Sequence, residues 1–211
     1  MNSSSIAQGL LETQAVKISV DPPFTWASGI KSPIYCDNRK LIAFPAIRET
    51  IVREMITLIR PMNPEVIAGT ATAGIPWAAF VAHEMKLPMV YVRPKPKDHG
   101  AGKQIEGHLE PGKKIVLVED LISTGGSSIK AADALRNEGQ GTVEDIIAIV
   151  TYEMLKATDA MSEAEINLTA LTNFTEILTE VKDKGYLQED QVSLVQQFAQ
   201  DPSTWWDNFS A

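Results

Sequence analysis

Cysteine is nearly absent. One residue, Cys36, in a chain of 211 excludes an internal disulfide and suits a reducing compartment, so the expected location is the cytoplasm. Long hydrophobic runs are missing as well: no apolar stretch approaches the ~20 residues that a membrane-spanning helix needs. The opening Met1-Asn2-Ser3-Ser4-Ser5 lacks the positive region and apolar core of a secretory signal. Positive charge is in deficit, with 19 Lys and Arg against 27 Asp and Glu and a net charge of -8. That leaves no basic footprint for nucleic acid as the main partner. Internal repeats and low-complexity tracts are lacking too. What remains is a soluble chain long enough for one full core, with the few cations it has gathered in one place.

The most informative stretch is Ile115-Val116-Leu117-Val118-Glu119-Asp120-Leu121-Ile122-Ser123-Thr124-Gly125-Gly126-Ser127. Four apolar, mostly β-branched residues predict a short buried strand. Two adjacent carboxylates are expected where that strand ends. A Ser/Thr/Gly run then leads into residues 127–137, which have helical spacing up to Gly139. Strand, small-residue turn and helix N-terminus together make an anion site, because unpaired N–H groups and the positive end of the helix dipole point at one spot. Carboxylates at its rim repel a bare phosphate but accept hydrogen bonds from paired sugar hydroxyls. A ribose phosphate satisfies both halves.

A similar turn, Gly69-Thr70-Ala71-Thr72-Ala73-Gly74, follows the predicted strand Glu65-Val66-Ile67-Ala68 and precedes another helical pattern. Two such turns on one sheet can hold two separate phosphate groups. Further along, a strand at 87–92 runs into residues 93–107, where Arg93, Lys95, Lys97, His99 and Lys103 stand among prolines and glycines. A long basic loop of this kind is expected to act as a mobile lid over a polyanion.

The remaining pattern is structural. Residues 3–5 can cap a short helix, 16–20 form a strand, and 24–26 with 33–36 a hairpin whose aromatic edge suits a flat ring. A helix opens at Pro45 with Ile47, Ile51, Met55 and Leu58 facing the core. Strand and helix alternate through a strand at 143–151, which predicts an α/β fold with a central parallel sheet flanked by helices and ligands at the strands' carboxyl ends. Beyond Tyr152, Leu171, Phe174, Leu178 and Val181 predict one helix, and Val192, Val195 and Phe198 a second. Trp205, Trp206 and Phe209 can close the core or serve a subunit contact, with packing the preferred reading.

The central stretch resembles the phosphoribosyl-pyrophosphate (PRPP) motif of the type I phosphoribosyltransferases. With Phe24-Thr25, Gly29, Lys31-Ser32-Pro33, Ala73-Gly74-Ile75-Pro76 and Arg93 with Lys97-Asp98-His99-Gly100, the chain from 24 to about 152 resembles the orotate phosphoribosyltransferases. The resemblance implies a single type I domain over 1–211, with a core at about 46–152 and a small hood from 1–45 and the C-terminal helices at 153–211. It implies transfer of the phosphoribosyl group from PRPP to orotate, in pyrimidine biosynthesis, with Mg²⁺ carried by the substrate rather than by the protein, and a homodimer whose lid is shared across subunits. By the same resemblance Glu119 and Asp120 hold the ribose hydroxyls. The PRPP site runs on through Leu121, Ile122, Ser123, Thr124, Gly125, Gly126 and Ser127, with Ser123 also near orotate. Arg93, Lys97 and His99 bind pyrophosphate, Lys97, His99 and Asp120 are catalytic, and the backbone at Tyr35 and Cys36 meets the orotate ring. Ala27, Ala73, Pro94 and Tyr152 stand where many members carry cations, with Lys31, Lys95 and Lys103 as candidate replacements. A purine-base phosphoribosyltransferase and a PRPP-sensing regulator on the same fold are the competing readings.

Overall fold

The computed structural model describes residues 3–26, 29–96, 103–202 and 204–209. Helix α1 (Ser3–Glu12) buries Ile6, Ala7 and Leu10 and is followed by strands β1 (Val16–Ile18), β2 (Phe24–Thr25), β3 (Lys31–Ser32) and β4 (Ile34–Cys36). A 3-10 helix at Asn38–Ala43 leads into α2 (Pro45–Ile59), whose first residue is a proline with no N–H to leave unpaired. Ile51, Val52, Met55 and Ile59 form its buried stripe, while Ile47 and Leu58 lie at the margin. Then come β5 (Val66–Thr70), α3 (Gly74–Met85), β6 (Met89–Val92), β7 (Ile105–Glu106), β8 (Lys114–Ile122), α4 (Gly126–Asn137) and β9 (Thr142–Thr151). The chain finishes with α5 (Leu155–Glu163), β10 (Asn167–Asn173), α6 (Phe174–Asp183), α7 (Glu189–Gln200) and α8 (Trp205–Phe209).

Six strands form the main sheet in the order β10-β9-β8-β5-β6-β7. All neighbours run parallel except β6 and β7. Every residue of β5 is buried, as are Ile115, Val116, Leu117, Val118 and Glu119 on β8, because helices cover both faces. Helix α3 packs on β5 and β8, and α4 on β8 and β9. This is the α/β architecture read from the strand–helix alternation.

Several local expectations are corrected. The strand at 16–20 is shorter, because Ser19 turns to bond Pro22. The hairpin at 24–36 has a different partner: Phe24–Thr25 pairs with Lys31–Ser32, whereas Ile34–Cys36 pairs antiparallel with Val16–Ile18. Pro33, which has no N–H, separates the two ladders. The basic loop returns as β7, antiparallel to β6, although its glycines and prolines argued against a strand. Leu171 belongs to β10 and not to the helix predicted from its spacing; α6 starts at Phe174. The sheet therefore continues past Tyr152.

Near the end of β9 the aromatic residues of both termini meet. Trp26 stacks on Tyr152 at 5.2 Å and meets Phe198 edge-on at 5.6 Å. Phe198 also touches Phe174 and Trp205. Trp205 is buried and donates its indole N–H to the Leu194 carbonyl at 2.7 Å, so it packs within the chain. The Phe209 side chain lies outside the described residues.

Candidate active site

Strand β8 is longer than its apolar run suggested. It extends to Ile122, so Glu119 and Asp120 lie inside the strand rather than beyond its end. The last pair between β5 and β8 is Gly69 with Val118. Past Val118 β8 runs beyond its pairing with β5, so the two acids lie at the carboxyl ends of the parallel strands, where the crevice of an α/β sheet takes its ligand.

Successive side chains on a strand point to opposite faces, so the two carboxylates have different surroundings. Glu119 is 5% exposed. One oxygen accepts the Asp120 N–H at 3.1 Å and the other accepts the Ser128 hydroxyl at 3.0 Å. Burial, then the neighbouring Asp120 charge, pushes the Glu119 carboxyl up to about 8. Asp120 is half-buried, and burial raises it too, against its hydrogen bond with Glu119, its own N–H and that of Leu121. Burial thus shifts both carboxyls toward the protonated form. Among the described residues neither acid takes part in an ion pair.

The turn after β8 has the anticipated geometry. Gly125 takes φ 78°, a left-handed conformation that suits glycine, and no side chain caps α4. The Ile129 N–H bonds the Gly125 carbonyl at 3.0 Å, which leaves the N–H groups of Gly126, Ser127 and Ser128 without intrahelical partners. Thr124, Gly126 and Ser127 are exposed, and a Cβ added at Gly126 would meet nothing within 4 Å. An anion can thus reach the amides of Gly126 and Ser127 and the positive end of the dipole, while Ser128 is buried. The second turn, at 71–73, opens α3. A Cβ on Gly74 would lie 2.6 Å from the Val118 carbonyl oxygen, so glycine there lets the start of α3 close against β8. Both helix N-termini reach the same strand.

On the other side of the crevice stands β4. The Asp37 N–H bonds the Ala15 carbonyl at 2.7 Å and the Ser19 N–H bonds that of Pro33 at 2.9 Å. Antiparallel alternation then assigns the backbone of Tyr35 to its partner Lys17 and turns that of Cys36 away from β1. Of the two residues predicted to meet a ring through their backbone, Cys36 keeps its groups free of the ladder. Tyr35, 37% exposed, contributes a side chain at the rim, 5.7 Å from the Phe24 ring. Burial, Asp120 and Asp37 hold the Cys36 thiol well above its ordinary range, so it is no nucleophile. Burial likewise keeps the Tyr152 phenol neutral, close to the Cys36 backbone.

Asn38 was not among the candidate site residues. It is 1% exposed, accepts from the Cys36 thiol at 3.1 Å and donates to the Asp120 carbonyl at 2.7 Å. No local pattern signals a contact across 82 positions of chain.

The basic loop is anchored at its base. Arg93 and Gln104 bond through the Arg93 N–H at 3.0 Å and the Gln104 side-chain amide at 3.0 Å, and Glu138 on α4 accepts the N–H groups of Gln104 and Ile105. The Arg93 guanidinium meets Glu106 at 3.4 Å. Lys31 donates to the Thr25 hydroxyl at 2.7 Å, and Lys95 and Lys103 are exposed. Lys97, Asp98, His99 and Gly100, with Ala27 and Ser28 of the hairpin, lie outside the described residues. A cavity of about 840 Å³ between α2 and α3, lined by Arg48, Arg53, Ile56 and Phe80 among others, is apart from the acids and the glycine turn.

A parallel sheet with an acid pair on its central strand, flanked by two amide-lined turns, defines a phosphoribosyltransferase. The sequence profile of the phosphoribosyl transferase domain matches residues 45–183. The chain is 49% identical over 205 residues to the orotate phosphoribosyltransferase of Lactococcus lactis subsp. cremoris, covering 96% of this chain and 98% of that one. Among solved structures, orotate phosphoribosyltransferase from Aeropyrum pernix superposes with a TM-score of 0.75 at 27% identity, covering 87% of this chain and 99% of that one. Leishmania donovani UMP synthase superposes with a TM-score of 0.81 at 28% identity, covering 95% of this chain; the match spans only 42% of that longer protein. The chain belongs to the orotate phosphoribosyltransferase family.

Proposed function

We propose that the protein transfers the 5-phosphoribosyl group of PRPP to orotate, giving orotidine 5'-monophosphate and pyrophosphate in pyrimidine biosynthesis. The observation that carries this reading is the Glu119–Asp120 pair beside the free amides that open α4. In this proposal the N–H groups of Gly126 and Ser127, with the hydroxyls of Ser123, Thr124 and Ser127, hold the 5-phosphate, and the acids hold the ribose hydroxyls. The Cys36 backbone and the Tyr35 rim receive the orotate ring, while Arg93, Lys97 and His99 take the pyrophosphate.

The reaction forms the bond from orotate N1 to ribose C1 as the bond from C1 to the pyrophosphate oxygen breaks, and the proton of N1 is released to solvent. Positive charge builds on the ribose, and an ionised carboxylate of the acid pair beside it stabilises that charge. Lys97 offsets the charge growing on the leaving oxygen and His99 supplies a proton to it. Mg²⁺ is carried by PRPP, whose oxygens are hard donors of the kind it prefers, and no protein side chain is assigned to it. When bound, it neutralises pyrophosphate charge.

The same proposal includes a cytoplasmic homodimer with a shared lid and the single-domain division into core and hood. The free thiol of Cys36 suits a reducing compartment, and among the described residues no helix is long and apolar enough to cross a membrane. The test is to mix the protein with PRPP, Mg²⁺ and orotate and follow orotate absorbance. A fall in absorbance is expected. Turnover only with a purine base, or PRPP binding with no turnover, overturns the assignment.

A further inference from the structure

The two halves of the crevice are contributed by distant parts of the chain, and one side chain joins them. Asn38 begins the 3-10 helix that follows β4 and is sealed from solvent. Its amide oxygen takes the Cys36 thiol proton at 3.1 Å, and its amide nitrogen reaches the Asp120 carbonyl at 2.7 Å. The Asp120 peptide is thereby held from both ends, because its N–H is already bonded to the Glu119 carboxyl at 3.1 Å. The segment that carries Asn38 is itself fixed: the Asp37 N–H is bonded to the Ala15 carbonyl at 2.7 Å, and the Arg39 guanidinium rests on the Asp37 carboxylate at 2.6 Å.

We propose that Asn38 is a positioning residue for phosphoribosyl transfer, setting the Asp120 carboxylate against the Cys36 backbone so that ribose and base meet at a fixed separation. It touches neither substrate and acts through the peptide of Asp120. This rests on the reading of Cys36 as the base site and of Asp120 as the ribose site. The chemistry requires such a device. Two reactants bound on separate elements gain from proximity only if those elements keep their spacing, and a misplacement of about 1 Å can cost on the order of 100-fold in rate. A buried carboxamide is suited to the task, since it offers one acceptor and one donor on a short rigid side chain.

The test is a double-mutant cycle read by orotate turnover. Asn38→Ala is expected to lower kcat/KM by about 10- to 100-fold. In an Asp120→Asn background the same substitution is expected to cost less than about 3-fold, because the group it positions no longer carries the charge. Asn38→Ser, which keeps a short donor, is expected to recover part of the loss, and melting temperatures of all variants are measured alongside. A loss of the same size in both backgrounds, or a loss that follows melting temperature and is not relieved by serine, overturns the positioning role. So does wild-type turnover in Asn38→Ala. Absence of orotate turnover in the unaltered chain is a different result, and it removes the functional reading and this role together.

Discussion

The Ser128 hydroxyl donates to the Glu119 carboxyl at 3.0 Å, so the helix that offers its free amides to a phosphate and the strand that carries the acids are tied by one buried hydrogen bond. Ser128→Ala leaves that carboxyl oxygen without its donor. The expected cost is about 1–3 kcal/mol in unfolding free energy, with a several-fold rise in the KM for PRPP as the acid pair loosens from the cradle. Chemical denaturation and initial rates check both. Wild-type values for the two would show that the bond is incidental.

Stability should fall with rising pH. In the unfolded chain Glu119 ionises near its ordinary value of 4.5, whereas in the folded protein burial holds its proton up to about 8. The folded state therefore binds more protons between these values. The stability contributed by the neutral carboxyl is complete below about pH 4.5 and is lost as pH climbs through about 8. From pH 6 to 8 the decline is on the order of 2 kcal/mol. Urea titrations at those two pH values should show it, and in Glu119→Gln the slope should flatten. A slope unchanged by that substitution would point to another group.

Gly74→Ala tests the closeness of α3 to β8. The new Cβ would stand 2.6 Å from the Val118 carbonyl oxygen, a backbone atom that cannot rotate aside. Helix and strand must separate, at a cost of about 1–3 kcal/mol, and because the turn at 71–73 shifts with the helix, turnover should fall further than the loss of stability explains. An alanine variant with full activity would remove that turn from the site.

Lys97→Ala is expected to lower kcat by about 100-fold or more, as loss of one group that stabilises charge in the transition state does, while the melting temperature changes little. Its sequence neighbours Asp98 and His99 are polar and suit solvent better than a core. Equal losses of folding and turnover would contradict a chemical role.

How much of this was readable beforehand depends on where each signal lies. The core of β8, the glycine turn and α4 were legible, because a buried run, an acid pair and small residues follow one another within thirteen positions and each reports its own geometry. The length of β8 was not, since Glu119 and Asp120 look like a terminus until their hydrogen bonds are known. Strand β10, Asn-Leu-Thr-Ala-Leu-Thr-Asn, carries too few apolar residues to be distinguished from a loop; it is an edge strand, paired only with β9. The exchange of partners in the 24–36 segment is a long-range choice between two short ladders. Asn38 was invisible for the same reason, because its meaning is a contact with Asp120 and not a feature of its neighbours.

The central claim is that the acids and the amides beside them grasp one ribose phosphate. Calorimetric titration of PRPP with Mg²⁺, and of pyrophosphate with Mg²⁺, into the unaltered protein and Asp120→Ala tests it directly. The account predicts that the substitution weakens PRPP by about 10-fold or more, as loss of a charge-assisted hydrogen bond does, and leaves pyrophosphate affinity within about 2-fold, since pyrophosphate makes no contact with the acids. Equal PRPP affinity in the two proteins would contradict it.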